Sequence, residues 1–248
     1  MRNPHLYFML PVCLLLLAAC TGTDSPTTSP EPPPAATATP IETILYEEGF
    51  DDSETCFNLD VDPGLGSLQI ANGELVMGIN QPSTFIYATC EDVEMSDFKF
   101  EMDVFDESGQ AAFHFYGLQF RKGVPDGSTA MTNHYYLFRL GQAEDARTAV
   151  CAGLATDRSW EENLTEAADG SSCWLELAAP IPTGQWNHHA IEAKGTELSY
   201  SVNDTVIAQI THTELIAGRV ALFIGTHEAE SARVRVDNVR ITELSNED

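Results

Sequence analysis

Beyond residue 44, apolar and polar residues alternate with a period of two over segment after segment. Phe98, Phe100, Met102 and Val104 interleave with Lys99, Glu101, Asp103 and Phe105, the pattern of a strand with one face in a core and a charged outer face. Tyr116, Leu118 and Phe120 alternate with Gly117, Gln119 and Arg121. Tyr136, Phe138 and Leu140 alternate with Tyr135, Leu137 and Arg139, and Leu198, Tyr200 and Val202 with Ser199, Ser201 and Asn203. Turn pairs punctuate these runs at Asn72-Gly73, Asp126-Gly127, Asp169-Gly170, Asn203-Asp204 and Ala217-Gly218. Roughly twelve to fourteen strands are expected. Helical patterning is confined to Trp160–Ala168, one turn at most. Many antiparallel strands without crossover helices predict an all-β fold, a two-sheet antiparallel β-sandwich of the jelly-roll kind over residues 44–244, with 245–248 as a tail. In the last strand Val234 and Val236 are apolar on even positions and Val239 and Ile241 on odd ones, which predicts a β-bulge at Asp237-Asn238, near the sheet edge.

The N-terminal residues follow another pattern. Arg2 precedes an apolar run from Leu6 to Ala19, too short to span a bilayer, and residues 1–19 read as a signal peptide. The run ends in Leu17-Ala18-Ala19-Cys20, which resembles the bacterial lipobox. That resemblance implies cleavage before Cys20 and acylation of its thiol, hence an exported protein, lipid-anchored to the outer face of the bacterial membrane and touching it through the lipid alone. Residues 20–43 hold the anchor and a Pro/Thr-rich linker, with six prolines between Pro26 and Pro40 and no aromatic residue, so they build no core and serve as a semi-rigid spacer.

Charge narrows the partners. Twelve basic residues face 38 acidic ones, a net of −26, and the eleven Lys and Arg left without Arg2 are scattered. A phosphate backbone needs a basic stripe, so no nucleic-acid partner is expected; cations, sugars or a basic protein fit better. The same acidity also serves to keep an exported protein soluble. Of six cysteines, Cys13 leaves with the leader and Cys20 is lipidated, so Cys56, Cys90, Cys151 and Cys173 remain. In an oxidising compartment these predict two disulfides, and among the three pairings sequence proximity favours Cys56 with Cys90 and Cys151 with Cys173.

The opening Glu48-Gly49-Phe50-Asp51-Asp52, the strands at Asp97–Val104, Tyr116–Arg121 and Tyr135–Leu140, then Gly184-Gln185-Trp186-Asn187, Leu198–Asn203, Gly218–Leu222 and the closing Val236–Ile241 resemble the concanavalin A-like lectin/glucanase superfamily. Their order is similar to that of laminin-G-like and 3-keto-disaccharide hydrolase-like domains, over nearly all of residues 45–244. The resemblance implies a sandwich fold and leaves function open among lectins, binding modules, glycosidases and adhesion modules. Cys56 stands where such domains often place an aromatic residue. A structural calcium ion is implied, with Asp237 and Asp51 or Asp52 as oxygen ligands; Asp237 capping the bulge through local hydrogen bonds is the alternative.

The segment Glu101–Glu107 approximates the catalytic strand of family 16 glucanases, but it satisfies neither spacing that such a strand uses, so Glu101 and Asp103 are weak catalytic candidates and no catalytic residue is assigned. No G-x-S-x-G or H-E-x-x-H occurs. His188 and His189, adjacent on a strand, point to opposite faces. Outer-face Gln119, Arg121, Tyr135 and Arg139, with Trp160, offer the aromatic platform and planar hydrogen-bonding groups that a glycan asks for; the two arginines suit vicinal hydroxyls or a uronic carboxylate, or else pair with acids across the strands. Trp174 and Trp186 read as packing. The expected function is cell-surface glycan capture on the concave sheet, without catalysis. Two alternatives stand beside it: a glycosidase-like enzyme of the same fold, and an adhesion module binding an envelope protein.

Overall fold

A computed structural model describes residues 42–245 except 53, 109–112, 124–133, 143–147, 157–158, 168–169, 171 and 228–230. Cys20, the leader, the linker up to residue 41, the Asp126-Gly127 turn and Asp169 lie outside the described residues, and Thr43, expected in the linker, opens β1. The described chain has no helix and fifteen strands. They are β1 (Thr43–Glu48), β2 (Gly66–Ile70), β3 (Leu75–Ile79), β4 (Phe85–Met95), β5 (Phe98–Asp106), β6 (His114–Gly123), β7 (His134–Gln142), β8 (Thr148–Thr156), β9 (Trp160–Asn163), β10 (Leu175–Glu176), β11 (Trp186–Lys194), β12 (Glu197–Val202), β13 (Thr205–Thr211), β14 (Gly218–Thr226) and β15 (Ala232–Glu243).

All pairings are antiparallel and form two sheets. The eight-stranded sheet runs β13-β12-β11-β5-β15-β3-β2 with β1 also on β15; the seven-stranded sheet runs β10-β8-β7-β6-β14-β4 with β9 also on β8. Phe100 of β5, Leu118 of β6 and Phe138 of β7, all at even-numbered positions, fill the space between the sheets and are fully buried. The hairpins at Asn72-Gly73 and Asn203-Asp204 hold both central residues at positive φ, the geometry whose twist matches the flanking strands. The helical patterning at Trp160–Ala168 forms no helix among its described residues: Trp160–Asn163 is strand β9, because Trp160 and Glu162 find partners on the edge of β8 at Ala155 and Leu154.

Both disulfides form in the proximal pairing, Cys56–Cys90 and Cys151–Cys173. The aromatic that the Cys56 corner lacks is supplied one residue later by Phe57, buried against Tyr46 and Phe50. The bulge at Asp237-Asn238 is present, with Asn238 at φ +52° and a register shift against β5. It lies inside the sheet, not near its edge: β15 keeps β5 on one side throughout, while its other side passes from β3, paired up to Val236, to β1, paired from Val239.

Candidate functional site

The outer face of the seven-stranded sheet is not the polar surface that alternation predicts. Odd positions place Phe115, Gly117 and Gln119 of β6, Tyr135, Leu137, Arg139 and Gly141 of β7, and Phe223 and Gly225 of β14 on that face. Phe115, Tyr135, Leu137, Ala155 and Phe223 bury one another there, with Phe113 and Trp174 packed on top. Large residues alternate with glycine across the ladder: Arg139 sits opposite Gly117, Leu137 opposite Gly153, and Phe115 opposite both Gly141 and Gly225. The glycines leave room for rings to lie flat on the backbone. A Cβ on Gly153 would collide with the Trp160 ring, one on Gly225 with Phe115, and one on Gly141 would come within 2.8 Å of Trp174 and 2.9 Å of Phe113.

This paving forms a groove of about 250 Å³ whose lining includes Gln119, Tyr135, Arg139 and Trp160 with Phe85 and Phe115. Four of the five expected ligand-binding residues therefore converge. Arg139 is its cation. The guanidinium carbon lies 4.3 Å from the Trp160 ring centre, 4.9 Å from Trp174 and 5.2 Å from Phe115. Nη2 donates to the disulfide sulfurs of Cys151 (2.9 Å) and Cys173 (3.4 Å). Burial pulls the guanidinium pKa down to about 10. Trp160 stays 38 % exposed, its indole N–H donating to Asn163 Oδ1 at 2.7 Å. Lys122 Nζ donates to Gln119 Oε1 (3.4 Å) and lies 4.0 Å over the Tyr87 ring. Phe85 also borders a wider depression of about 740 Å³, whose lining includes Tyr87, Lys122 and the carboxylates Asp60, Asp62, Glu91 and Glu94.

Arg121 does not join them. Its backbone turns through φ +49° where the β6–β7 register slips between Phe120 and Gly123, so its side chain leaves the outer face and is fully enclosed. It donates to the carbonyls of Ser96, Gly195 and Leu215 and meets Asp97 at 3.4 Å. Arg121 is a structural clamp, and the expectation that it binds ligand is corrected.

Glu101 and Asp103 belong to β5 in the other sheet. Glu101 pairs with Lys99 (2.7 Å), and Asp103 accepts from Asn238 Nδ2 (2.9 Å) and meets His188 Nδ1 (2.9 Å). They lie on a surface where Lys99, Asn238 and His188 meet them, while His189 points inward to the Tyr200 hydroxyl at 2.7 Å. At the bulge, Asp237 Oδ1 accepts the Asn238 N–H at 2.7 Å. Burial, then the carboxylates of Glu74, Asp103 and Asp51, raise the Asp237 pKa against that hydrogen bond. Among the described residues no three His, Cys, Asp or Glu side chains converge as a metal-holding group; Asp237 caps the bulge through its own hydrogen bond to the Asn238 N–H. Trp186, read as packing, is 39 % exposed and stands edge-on to Phe105.

The residues that sequence reading passes over are Phe85, Tyr87, Phe115, Lys122 and Phe223. One signal was available: Phe85 and Tyr87 alternate with Ile86 and Ala88, a strand apolar on both faces, and the outward pair remains 49 % and 39 % exposed.

The family described as 3-keto-alpha-glucoside-1,2-lyase-like domain matches residues 46–242. The fold is similar to a GlcNAcα1-4Gal-releasing endo-β-galactosidase from Clostridium perfringens (TM-score 0.57, 13 % identity, 85 % of this chain and 67 % of that one). It is similar as well to the κ-carrageenase of Pseudoalteromonas carrageenovora (TM-score 0.57, 9 % identity, 85 % and 98 %). A galectin-like protein of unknown function from Bacillus subtilis is a further neighbour (TM-score 0.56, 10 % identity, 83 % and 100 %). No curated protein sequence matches the chain.

Proposed function

This chain belongs to the 3-keto-alpha-glucoside-1,2-lyase-like domain family, built on a concanavalin A-like jelly roll, and on that premise we propose that it is a cell-surface glycan-capture lipoprotein. The observation that carries the reading is the groove over Gln119, Tyr135, Arg139 and Trp160. A sugar ring offers an apolar C–H face to aromatic walls and a rim of hydroxyls to a few fixed donors and acceptors, and this groove has both. The Cys20 anchor and the Pro-rich linker would hold it off the outer face of the membrane. A glycan array probed with the purified protein, with and without calcium, tests the reading: binding is expected and should fall at least tenfold in Trp160→Ala. If no glycan is retained, capture is wrong and an envelope-protein partner takes its place. Incorporation of labelled fatty acid that disappears in Cys20→Ser tests the anchor.

A second reading, cleavage of a glycosidic bond, is favoured by the wider depression, where Asp60, Asp62, Glu91 and Glu94 line the space that meets the aromatic groove at Phe85. Hydrolysis by paired carboxyls needs them about 5–9.5 Å apart across the bond. The lyase-like description of the family points toward bond cleavage too. Chromatography of captured glycan after incubation separates the readings, since only an enzyme releases product and loses that release in Glu91→Gln.

A further inference from the structure

Arg139 is a partly enclosed cation with no anion beside it among the described residues. Acidic residues outnumber basic ones 38 to 12, so a carboxylate partner is easily supplied. Arg121 has Asp97, Arg233 has Glu107, Arg235 has Glu74 and Glu107, and Arg240 has Glu42. Among the described residues no carboxylate is within ion-pair distance of Arg139. Its Nε is buried and makes no hydrogen bond, and Nη2 is held on two weakly accepting sulfurs. Three rings offset part of the desolvation of the charge, as cation–π contacts do, but buried charge is ordinarily paired. The remaining donor edge, Nη1, belongs to a side chain that lines the groove. The groove's volume falls below the roughly 300–1,000 Å³ of drug-sized sites, a size for one sugar unit.

We infer that the groove takes an acidic sugar, its ring on the Trp160 wall and its carboxylate on the Nη1 edge of Arg139. The inference rests on the glycan-capture reading and narrows its ligand class. A planar guanidinium and a planar carboxylate share a geometry, and the charge-assisted bond would supply the anion that the described residues do not. The disulfide under Nη2 fixes the fork, so less side-chain freedom is lost on binding.

The test compares oligogalacturonate, alginate and chondroitin sulfate chains with the same chains after chemical reduction of their carboxyl groups to alcohols, by calorimetry on the full chain. At least one acidic member should bind and lose affinity tenfold or more on reduction. Arg139→Gln should bind the native and reduced chains alike. Because the reduced chains probe the unmodified protein, the result stands even if Arg139→Gln fails to fold. Equal affinity for native and reduced chains, or binding of neutral glycans alone, overturns the acidic-sugar inference and leaves glycan capture intact. Binding lost on desulfation instead of carboxyl reduction overturns the carboxylate assignment, and absence of binding to any glycan overturns both.

Discussion

Arg121 and Arg139 share an outward parity on neighbouring strands and have opposite fates. Alternation gives a side chain's face only while the backbone stays extended, and the positive φ at Arg121 turns it into the end of the sandwich. Three carbonyls and Asp97 then satisfy it. Arg121→Ala leaves those acceptors buried without a donor and should cost about 3 kcal/mol or more in denaturant unfolding, with groove affinity in the folded fraction retained. His189 makes a second residue-scale claim. Burial first, then neighbouring His188, lowers its pKa from 6.5 to about 3, against a smaller opposing pull from Asp103. The unfolded chain binds this proton and the folded one does not, so stability is intact above about pH 6.5 and lost as pH falls towards 3, at up to about 1.4 kcal/mol per unit. Urea unfolding between pH 7 and 4.5 measures the slope, which His189→Gln should flatten.

At the scale of elements, periodicity made most strands and the β15 bulge legible, and sequence proximity both disulfides, since each depends on local pattern or short separation. Two features needed the assembled sheet. Strand β9 forms because β8 has a free edge beside it, which no property of Trp160–Asn163 announces. The aromatic layer over β6, β7 and β14 is built from residues that alternation assigns to solvent, and its rings are brought together from β4, β9 and the segments around Phe113 and Trp174. Part of the candidate site was legible as outward Gln119, Tyr135, Arg139 and Trp160; Arg121 was misplaced because its bulge leaves no hydrophobic signature. The glycine pavement gives a test: Gly153→Ala places a methyl where the Trp160 ring lies. With one wall displaced, glycan affinity should drop by about 0.5–1.5 kcal/mol, and Trp160 emission should shift to the red, while the core beneath is untouched.

For the whole molecule, the net charge of −26 sets a long-range field that an acidic ligand must cross before Arg139 attracts it. That field fades over about 10 Å at 0.1 M salt. Association of an acidic oligosaccharide should therefore speed up as salt rises from low ionic strength, the reverse of ordinary opposite-charge steering, whereas a neutral one should be indifferent. Stopped-flow tryptophan fluorescence reads both rates, and an acidic ligand slowed by salt would contradict the expectation.

The β1–β15 pairing sets Thr43 directly beside Glu243. Opposed residues of antiparallel strands lie about 5 Å apart, so a few added residues would close the domain into a loop. Circular permutation then becomes available: the chain can be reopened at the exposed Asn203-Asp204 hairpin, with the aromatic face left uncut.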